Sequence, residues 1–291
     1  MTDRLVRGVY PASGFRAVLV RAGDTARMSR ALHGLYPTSA RLFGEGLAAA
    51  LLVAALQKDR GRVNLQLECD GPARGLFLDA SPEGEVRGYA RAPAVHFPGD
   101  PERGARAALG TRGYLSVIRE ASAGGFQRGS VELLEMGWAG ALRRWFAESE
   151  QVETVLDLAV VPRGDEPLGD AGGLLVQKLP GGDAAALDDL RARLGGGALR
   201  EALASGLTAQ RVLAAVVGEG FEVAADLPVR YVCGCSAARA RVAVSALGRD
   251  GVEEILADER RAVVTCEFCR RRYVLGESDL RDIAARLGAG S

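Results

Sequence analysis

Alternation of hydrophobic and polar residues marks the first recognisable elements of this chain. Over residues 62–69 the two kinds of residue alternate, which places four apolar side chains on one face of a strand: Val63, Leu65, Leu67 and Cys69. Turn-forming residues at 70–72 and 81–84 bound two further strands, over 73–79 and 85–91. The pattern predicts an antiparallel meander.

Other segments follow helical or strand periods on either side of the meander. Leucines recur at helical spacing in a helix expected from Thr38–Ser39 to about residue 58. A shorter helix, capped by Asp24–Thr25, is expected to end near His33. A further amphipathic helix is predicted over 138–149, and strands over 15–20, 114–119, 131–134, 155–161 and 174–179. Residues 1–180 are therefore predicted to form an α+β domain built on an antiparallel sheet.

The composition changes at Pro180–Gly182. From residue 183 to about 217 the chain is rich in Ala, Leu and Arg and predicts short helices, interrupted by three glycines at 195–197. We assign residues 181–228 to a helical middle linker. Residues 229–291, with four of the five cysteines, are predicted to form a small C-terminal metal-binding domain.

Composition and charge narrow the class of protein. A chain with 48% hydrophobic and 25% charged residues is globular, and 37 basic against 37 acidic residues favour neither nucleic acid nor an anionic membrane surface. The most apolar run, over 46–56, is shorter than the ~20 residues of a membrane span. Since residues 1–14 also lack the apolar segment of a secretory signal, we expect a cytoplasmic protein.

Four clustered cysteines carry the strongest chemical signal. Cys233 and Cys235 form one close pair, and Cys266 and Cys269 form a second pair after thirty intervening residues. In a reducing cytoplasm such pairs are metal ligands or redox sensors, and four thiolates without histidine favour zinc, with an iron–sulfur cluster as the other option. Oxidation of metal-held thiolates would expel the metal and the folding energy it supplies. A static zinc ribbon is the competing interpretation.

Several segments form one recognisable set in chain order. They are Val-Asn-Leu-Gln-Leu-Glu-Cys-Asp-Gly-Pro at 63–72, Val-Arg-Gly-Tyr-Ala-Arg at 86–91, Gly-Gly-Leu-Leu-Val-Gln at 172–177, Cys-Gly-Cys-Ser at 233–236, Glu-Glu-Ile-Leu at 253–256, Cys-Glu-Phe-Cys at 266–269 and Tyr273. Together they resemble the heat-shock protein 33 family of redox-regulated holdase chaperones over almost the whole chain. One departure is that a glycine commonly follows the last cysteine in that family, whereas Arg270 stands here.

The resemblance implies a mechanism and a role for each part of the chain. In the reduced state, one Zn²⁺ per chain would be bound by Cys233, Cys235, Cys266 and Cys269, and the chaperone would be inactive. Oxidation would form the disulfides Cys233–Cys235 and Cys266–Cys269, release zinc and unfold the linker 181–228. Apolar surface of the client-binding domain 1–180 would then hold unfolded proteins without ATP, and the activated chain would form a homodimer.

A zinc-ribbon protein that binds nucleic acid is the main alternative. The run Arg270–Arg272 lies beside Phe268 and Tyr273, and such mixtures of basic and aromatic residues are typical of nucleic-acid surfaces. Residues 230–291, however, contain 11 arginines against nine acidic residues, a net charge of only +2. Because affinity for nucleic acid depends on neutralising several phosphates, this interpretation has weak support.

An enzyme is not expected. The sequence contains no G-x-x-x-x-G-K-[ST], G-x-S-x-G or H-E-x-x-H motif. His33 and His96 are interpreted as ordinary surface or core residues. Cys69, on the apolar face of its strand, is interpreted as a buried core thiol.

Overall fold

The computed structural model describes residues 3–57, 61–120, 124–135 and 137–288. The chain divides into two compact units, one up to Val232 and the other from Cys233 onward. The strands of the first unit are β1 Arg4–Tyr10, β2 Phe15–Arg21, β3 Val63–Cys69, β4 Gly75–Ala80, β5 Glu85–Ala90, β6 Gly113–Glu120, β7 Phe126–Glu132, β8 Thr154–Arg163, β9 Glu166–Lys178, β10 Glu222–Pro228 and β11 Arg230–Tyr231. Its helices are α1 Gly23–His33, α2 Pro37–Ala54, α3 Pro101–Leu109, α4 Trp138–Trp145, α5 Ala184–Gly195, α6 Ala198–Ala204 and α7 Ala209–Val216.

Two sheets enclose the central helix of the first unit. One sheet has the strand order β10-β1-β2-β9-β8, and the other has the order β11-β5-β4-β3-β6-β7. Helix α2 packs against strands of both sheets, and every residue from Thr38 to Ala54 is buried. Because it has a sheet on each side, this helix is apolar almost all round. No helix in the described part of the chain combines the length and hydropathy needed to cross a membrane.

The sheet that contains β2 is apolar on both faces. Val18 and Val20 of β2 point into the core around α2, whereas Phe15, Ala17 and Leu19 belong to a second core on the opposite face. Buried side chains of α5, α6 and α7 cover that second face: Leu187, Leu190, Leu194, Leu199, Leu203, Val212, Leu213 and Val216. The helices predicted for the middle segment therefore pack on a sheet of the first unit.

The predicted α+β class and the meander are confirmed. β3, β4 and β5 are antiparallel neighbours, and β3 buries alternate residues as expected up to Leu67, whereas Cys69 at its end is only half-buried. The glycine break is also present, since α5 ends at Gly195 and α6 begins at Ala198 after Gly197 adopts φ 94°. The assignment of three separate functional parts stays a prediction.

Several element boundaries differ from the sequence expectation. α2 ends at Ala54, and residue 58, the expected end, lies outside the described residues. β7 runs over Phe126–Glu132 rather than 131–134, and the helix expected over 138–149 is α4 followed by a π-helical turn over Phe146–Glu150. The strands β1 and β10 were not predicted. They pair with each other although more than 200 residues separate them, as in Arg4↔Pro228.

The start of α1 is not capped by Asp24–Thr25, as the local sequence pattern predicted. Its N-cap residue is Ala22, which has no side chain able to cap the helix. The backbone amides of Asp24 and Thr25 instead donate to the two carboxylate oxygens of Asp3, at 3.0 and 2.6 Å. A residue directly before β1 thus accepts hydrogen bonds from two otherwise unpaired amides of the first turn.

The second unit is small and is built from two helices, a hairpin and a final helix. These elements are α8 Ala237–Ser245, α9 Gly248–Asp258, β12 Ala262–Thr265, β13 Arg272–Leu275 and α10 Glu277–Gly288. Its core consists of five buried residues: Val244, Val252, Leu275, Leu280 and Ile283. So few buried side chains give little folding energy, and domains of this size commonly depend on a metal or a disulfide.

Candidate metal centre

Two short segments of the second unit carry the clustered cysteines. Cys233 and Cys235 precede α8, and the side chain of Ser236 caps that helix by accepting a hydrogen bond from the Arg239 amide at 3.2 Å. The capped start of α8 therefore fixes the backbone directly after Cys235. Cys266 lies in the turn that joins β12 to β13.

Backbone hydrogen bonds shape the turn that holds the second pair. The Cys266 amide donates to the Arg271 carbonyl at 2.9 Å, and the Arg270 amide donates to the Cys266 carbonyl at 2.8 Å. Arg270, directly after Cys269, adopts a left-handed φ of 56°. Glycine reaches this conformation without the steric cost of about 1–2 kcal/mol that a side chain adds. Arg270 therefore adopts a conformation that favours glycine, the residue that the family resemblance leads us to expect at this position.

The four sulfur atoms lie close enough to share one metal ion. The Cys233 and Cys266 sulfurs are 3.7 Å apart, the Cys235 and Cys269 sulfurs are 3.3 Å apart, and all four lie within 4.8 Å of one another. Tetrahedral zinc with bonds of about 2.3 Å to sulfur requires sulfur–sulfur distances of about 3.8 Å. All four side chains are half-buried, free cysteines. The donor set therefore fits a closed tetrathiolate site.

No other such cluster occurs in the described segments. The cysteine set is the only group of three or more cysteine, histidine or acidic side chains there whose ligand atoms come this close. The structure thus brings together the four residues that the spacing singled out.

Hydrogen bonds and burial affect the four thiols unequally. Tyr273 donates a hydrogen bond from its hydroxyl to the Cys235 sulfur at 3.0 Å, which lowers the pKa of that thiol to about 7. Burial raises the pKa of the Cys269 thiol to about 12 and also raises the pKa of the Cys266 thiol. The Arg271 guanidinium is close enough to the Tyr273 hydroxyl to interact with it electrostatically.

Sequence reasoning found Tyr273 as a motif residue but not its contact with Cys235. It considered Arg271 only as part of a basic run. A weak signal was available in the hairpin, where Arg271, the last residue of the turn, is two positions from Tyr273 of β13. The contact to sulfur depends on the folded turn and could not be inferred from that spacing.

The basic run beside the cysteines is partly neutralised by its neighbours. Arg270 forms an ion pair with Glu267 at 2.8 Å, and the Arg271 guanidinium lies beside the Tyr273 hydroxyl. A surface that binds phosphates needs several cations free to neutralise them. These contacts give the nucleic-acid alternative no added support.

Cys69 and the two histidines lie in the first unit, where Cys69 packs against a core and each histidine lies beside a hydroxyl group. Cys69 ends β3, is half-buried rather than fully buried, and packs against the core around α2; burial raises its pKa. A ring nitrogen of His33 lies 3.2 Å from the Tyr231 hydroxyl, and one of His96 lies 3.4 Å from the Thr38 hydroxyl.

Comparisons with known proteins agree with these features over nearly the full length. The sequence model of the family described as Hsp33 protein matches residues 3–276. The 33 kDa chaperonin of Bacillus subtilis is 29% identical over 285 residues, which cover 97% of this chain and 98% of that protein. The 33 kDa chaperonin of Latilactobacillus sakei is 31% identical over 290 residues, covering 98% and 99% respectively.

A solved structure supports the same fold. The crystal structure of the 33 kDa chaperonin, a heat shock protein 33 homolog, from Thermotoga maritima matches with a TM-score of 0.88 over 100% of both chains at 24% identity. At that identity the likeness bears on the fold alone. The family model and the curated relatives lead to one conclusion: the chain belongs to the Hsp33 family, whose members are chaperones that bind client proteins and are not enzymes.

Proposed function

We propose that this protein is a redox-regulated, ATP-independent holdase of the cytoplasm. Reduced Cys233, Cys235, Cys266 and Cys269 bind one Zn²⁺ and keep the chaperone inactive, and their oxidation activates it. The observation that carries this proposal is the close approach of the four sulfurs, all within 4.8 Å, in a chain of this family. Cysteine usage of this kind is typical of a reducing compartment.

The second unit has a physical need for a metal. Its core holds five buried apolar side chains, whereas structural zinc in small domains contributes folding energy outright. Zinc, when bound, supplies this folding energy and keeps its ligands as thiolates. The four cysteines hold the ends of two segments together, namely the start of α8 and the β12–β13 turn.

Oxidation removes ligands in pairs. A thiolate that attacks peroxide forms a sulfur–oxygen bond while the oxygen–oxygen bond breaks, and the displaced hydroxide takes a proton and leaves as water. The neighbouring thiolate then attacks that sulfur, so that a disulfide forms and a second hydroxide leaves. We propose the pairs Cys233–Cys235 and Cys266–Cys269. The second unit then loses the folding energy that depended on four thiolates.

The surface proposed to hold clients is the outer face of the sheet that contains β2. This face carries Phe15, Ala17 and Leu19 and is covered by α5, α6 and α7. Those helices have 12, 7 and 8 residues, and helices shorter than about 12–15 residues are marginal in water without tertiary contacts. Undocking of residues 181–228 would therefore uncover an apolar sheet face.

The three parts of the chain have distinct roles in this proposal. Residues 1–180 bind clients and dimerise, residues 181–228 are the metastable linker, and residues 229–291 are the redox switch. The chain itself supports a coupling between the linker and the redox switch, since β10 and β11 lead directly into Cys233. Homodimer formation on activation would bury part of the newly exposed apolar surface.

Zinc content and holdase activity, measured in the same sample, test the proposal. Reduced protein should carry about one zinc per chain and should not suppress aggregation of a heat-unfolded client. Peroxide at mildly raised temperature should release the metal and switch suppression on. Peptide mapping without reduction should then identify the disulfides Cys233–Cys235 and Cys266–Cys269.

Two cysteine variants provide a matched pair for this test. Cys233→Ser should lower the zinc content, whereas Cys69→Ser, which removes the cysteine outside the cluster, should leave zinc and activation unchanged. An unchanged zinc content in Cys233→Ser would show that the ligand assignment is wrong. Zinc release without any suppression of aggregation would contradict the chaperone mechanism.

A further inference from the structure

One sulfur of the cysteine set accepts a hydrogen bond from a tyrosine hydroxyl. The Tyr273 oxygen lies 3.0 Å from the Cys235 sulfur. Tyr273 is half-buried on β13, where it is paired with Val264 of β12, and Arg271 is exposed in the turn directly before that strand. The hairpin that carries Cys266 and Cys269 thus reaches across to a cysteine of the other pair.

Arg271 places a positive charge beside this hydrogen bond. Its guanidinium is close enough to interact electrostatically with both the Tyr273 hydroxyl and the Cys235 sulfur. The hydroxyl donates its hydrogen to the sulfur. A positive charge next to a hydroxyl favours release of its proton, so the guanidinium makes the hydroxyl a better donor.

We propose that Tyr273, with the charge of Arg271 beside it, is a positioning residue that slows oxidation of Cys235 and thereby sets the oxidant threshold of the first cysteine pair. The inference rests on the proposed function because it takes the cysteine set as the reactive centre. Nothing in the sequence spacing alone distinguishes Cys235 from the other three cysteines in this way.

The physical reason lies in the charge on the sulfur. Oxidation begins when the Cys235 thiolate gives an electron pair to a peroxide oxygen; the sulfur–oxygen bond forms, the oxygen–oxygen bond breaks, and the released hydroxide is protonated to water. A hydrogen bond to the thiolate stabilises its charge, and that stabilisation is partly lost as the electron pair is given away. Removing the hydroxyl should therefore make this sulfur a stronger nucleophile.

The size of the effect follows from the strength of the bond. Hydrogen bonds to charged groups are among the stronger hydrogen bonds in proteins. When the basicity of a thiolate changes, the logarithm of its rate of attack changes by only about 0.4–0.5 of that amount. The hydrogen bond should therefore slow the reaction of Cys235 with peroxide about three- to tenfold. Such a factor changes the oxidant concentration at which the pair closes without changing which residues can bind metal.

Tyr273→Phe is the direct test because it keeps the ring and removes the hydroxyl. The full-length, zinc-loaded, reduced chain is exposed to a series of hydrogen peroxide concentrations, and the oxidation rate of each cysteine is followed by differential alkylation and mass spectrometry. The rate at Cys235 should rise about three- to tenfold, with unchanged rates at Cys266 and Cys269. Arg271→Gln should raise the same rate by a smaller factor.

Arg272→Gln is the matched control, since it removes the same charge from an exposed neighbour on β13. It should leave the rate at Cys235 unchanged. Zinc transfer to a chelator without oxidant should also proceed at the same rate in Tyr273→Phe and in the unaltered chain. A faster transfer together with equal acceleration at all four cysteines would show that the hydroxyl only holds the turn in place, and would overturn the inference.

An unchanged rate at Cys235 in Tyr273→Phe would overturn the inference as well. Failure of the proposed function looks different, because it is read from aggregation assays on fully oxidised protein. If neither the unaltered chain nor the variant suppresses aggregation, the holdase mechanism fails. The site-resolved rates still decide whether Tyr273 restrains Cys235.

Discussion

Replacing Leu203 by alanine tests whether the docked middle helices keep the chaperone inactive. Leu203 lies in α6, is fully buried, and covers Gly172 of β9 so closely that a Cβ atom there would lie 2.9 Å from a Leu203 methyl carbon. Leu203→Ala should cost about 2–5 kcal/mol because the space cannot refill. That cost shifts the docking equilibrium by about 30-fold to a few thousand-fold.

The lost packing energy should mainly weaken the docking of α5–α7 on the sheet. α6 has only seven residues and follows a run of three glycines, so it has little helical stability of its own. Hydrogen exchange of the reduced, zinc-loaded variant should show faster exchange in α5, α6 and α7. The same sample should suppress client aggregation without any oxidant while it retains its zinc.

Leu65→Ala is the matched control for this prediction. Leu65 of β3 is as completely buried as Leu203 but belongs to the core around α2. It should lower the overall stability by a comparable amount without selective exchange in α5–α7 and without constitutive activity. If Leu203→Ala accelerates that exchange but suppresses no aggregation, the covered sheet face is not the client surface; equal activation by both variants would point to general destabilisation.

Three further predictions concern charge and capping. Arg21→Gln removes the ion-pair partner of Asp170, and the two paired side chains are only 4% and 8% exposed. Because an unpaired buried charge remains, the substitution should lower the free energy of unfolding, measured in urea, by about 3–5 kcal/mol. A loss below about 1 kcal/mol, which is typical of surface pairs, would contradict this. Burial raises the pKa of Glu45 from 4.5 to about 7 despite its ion pair with Arg41, so the folded state holds the proton more tightly than the unfolded state. Stability should therefore fall as the pH rises from about 4.5 to about 7, and Glu45→Gln should flatten this part of the curve in denaturant titrations. Ser236→Ala removes the cap of α8 and should destabilise the second unit by about 1 kcal/mol, seen as faster hydrogen exchange in α8.

The buried Arg21–Asp170 ion pair of the sheet also contacts the middle segment through a hydrogen bond. The Arg21 guanidinium bonds both to Asp170 and to the carbonyl of Leu207, in the connection between α6 and α7. Undocking of the helices would take that carbonyl away and leave the guanidinium to be hydrated. The Arg21→Gln variant therefore also weakens one of the contacts that hold the linker.

Local sequence patterns were sufficient where the signal comes from neighbouring residues. Alternation over 62–69 defined β3, three glycines placed the break between α5 and α6, and the cysteine spacing singled out the metal-binding set. Each of these features depends on periodicity, backbone freedom or side-chain chemistry within a few residues. The resemblance to a known family added the order in which such segments occur.

Only the tertiary structure decided which groups meet across long stretches of chain. Asp3 caps α1, β1 pairs with β10, and Tyr273 reaches Cys235 because the fold brings distant residues together. No periodic pattern records such contacts, since they depend on strand register and on how the elements pack. The sequence by itself therefore determined that four thiolates could bind a metal, whereas the folded structure determined their spacing, the hydroxyl that faces one of them and the apolar sheet face that the middle helices cover.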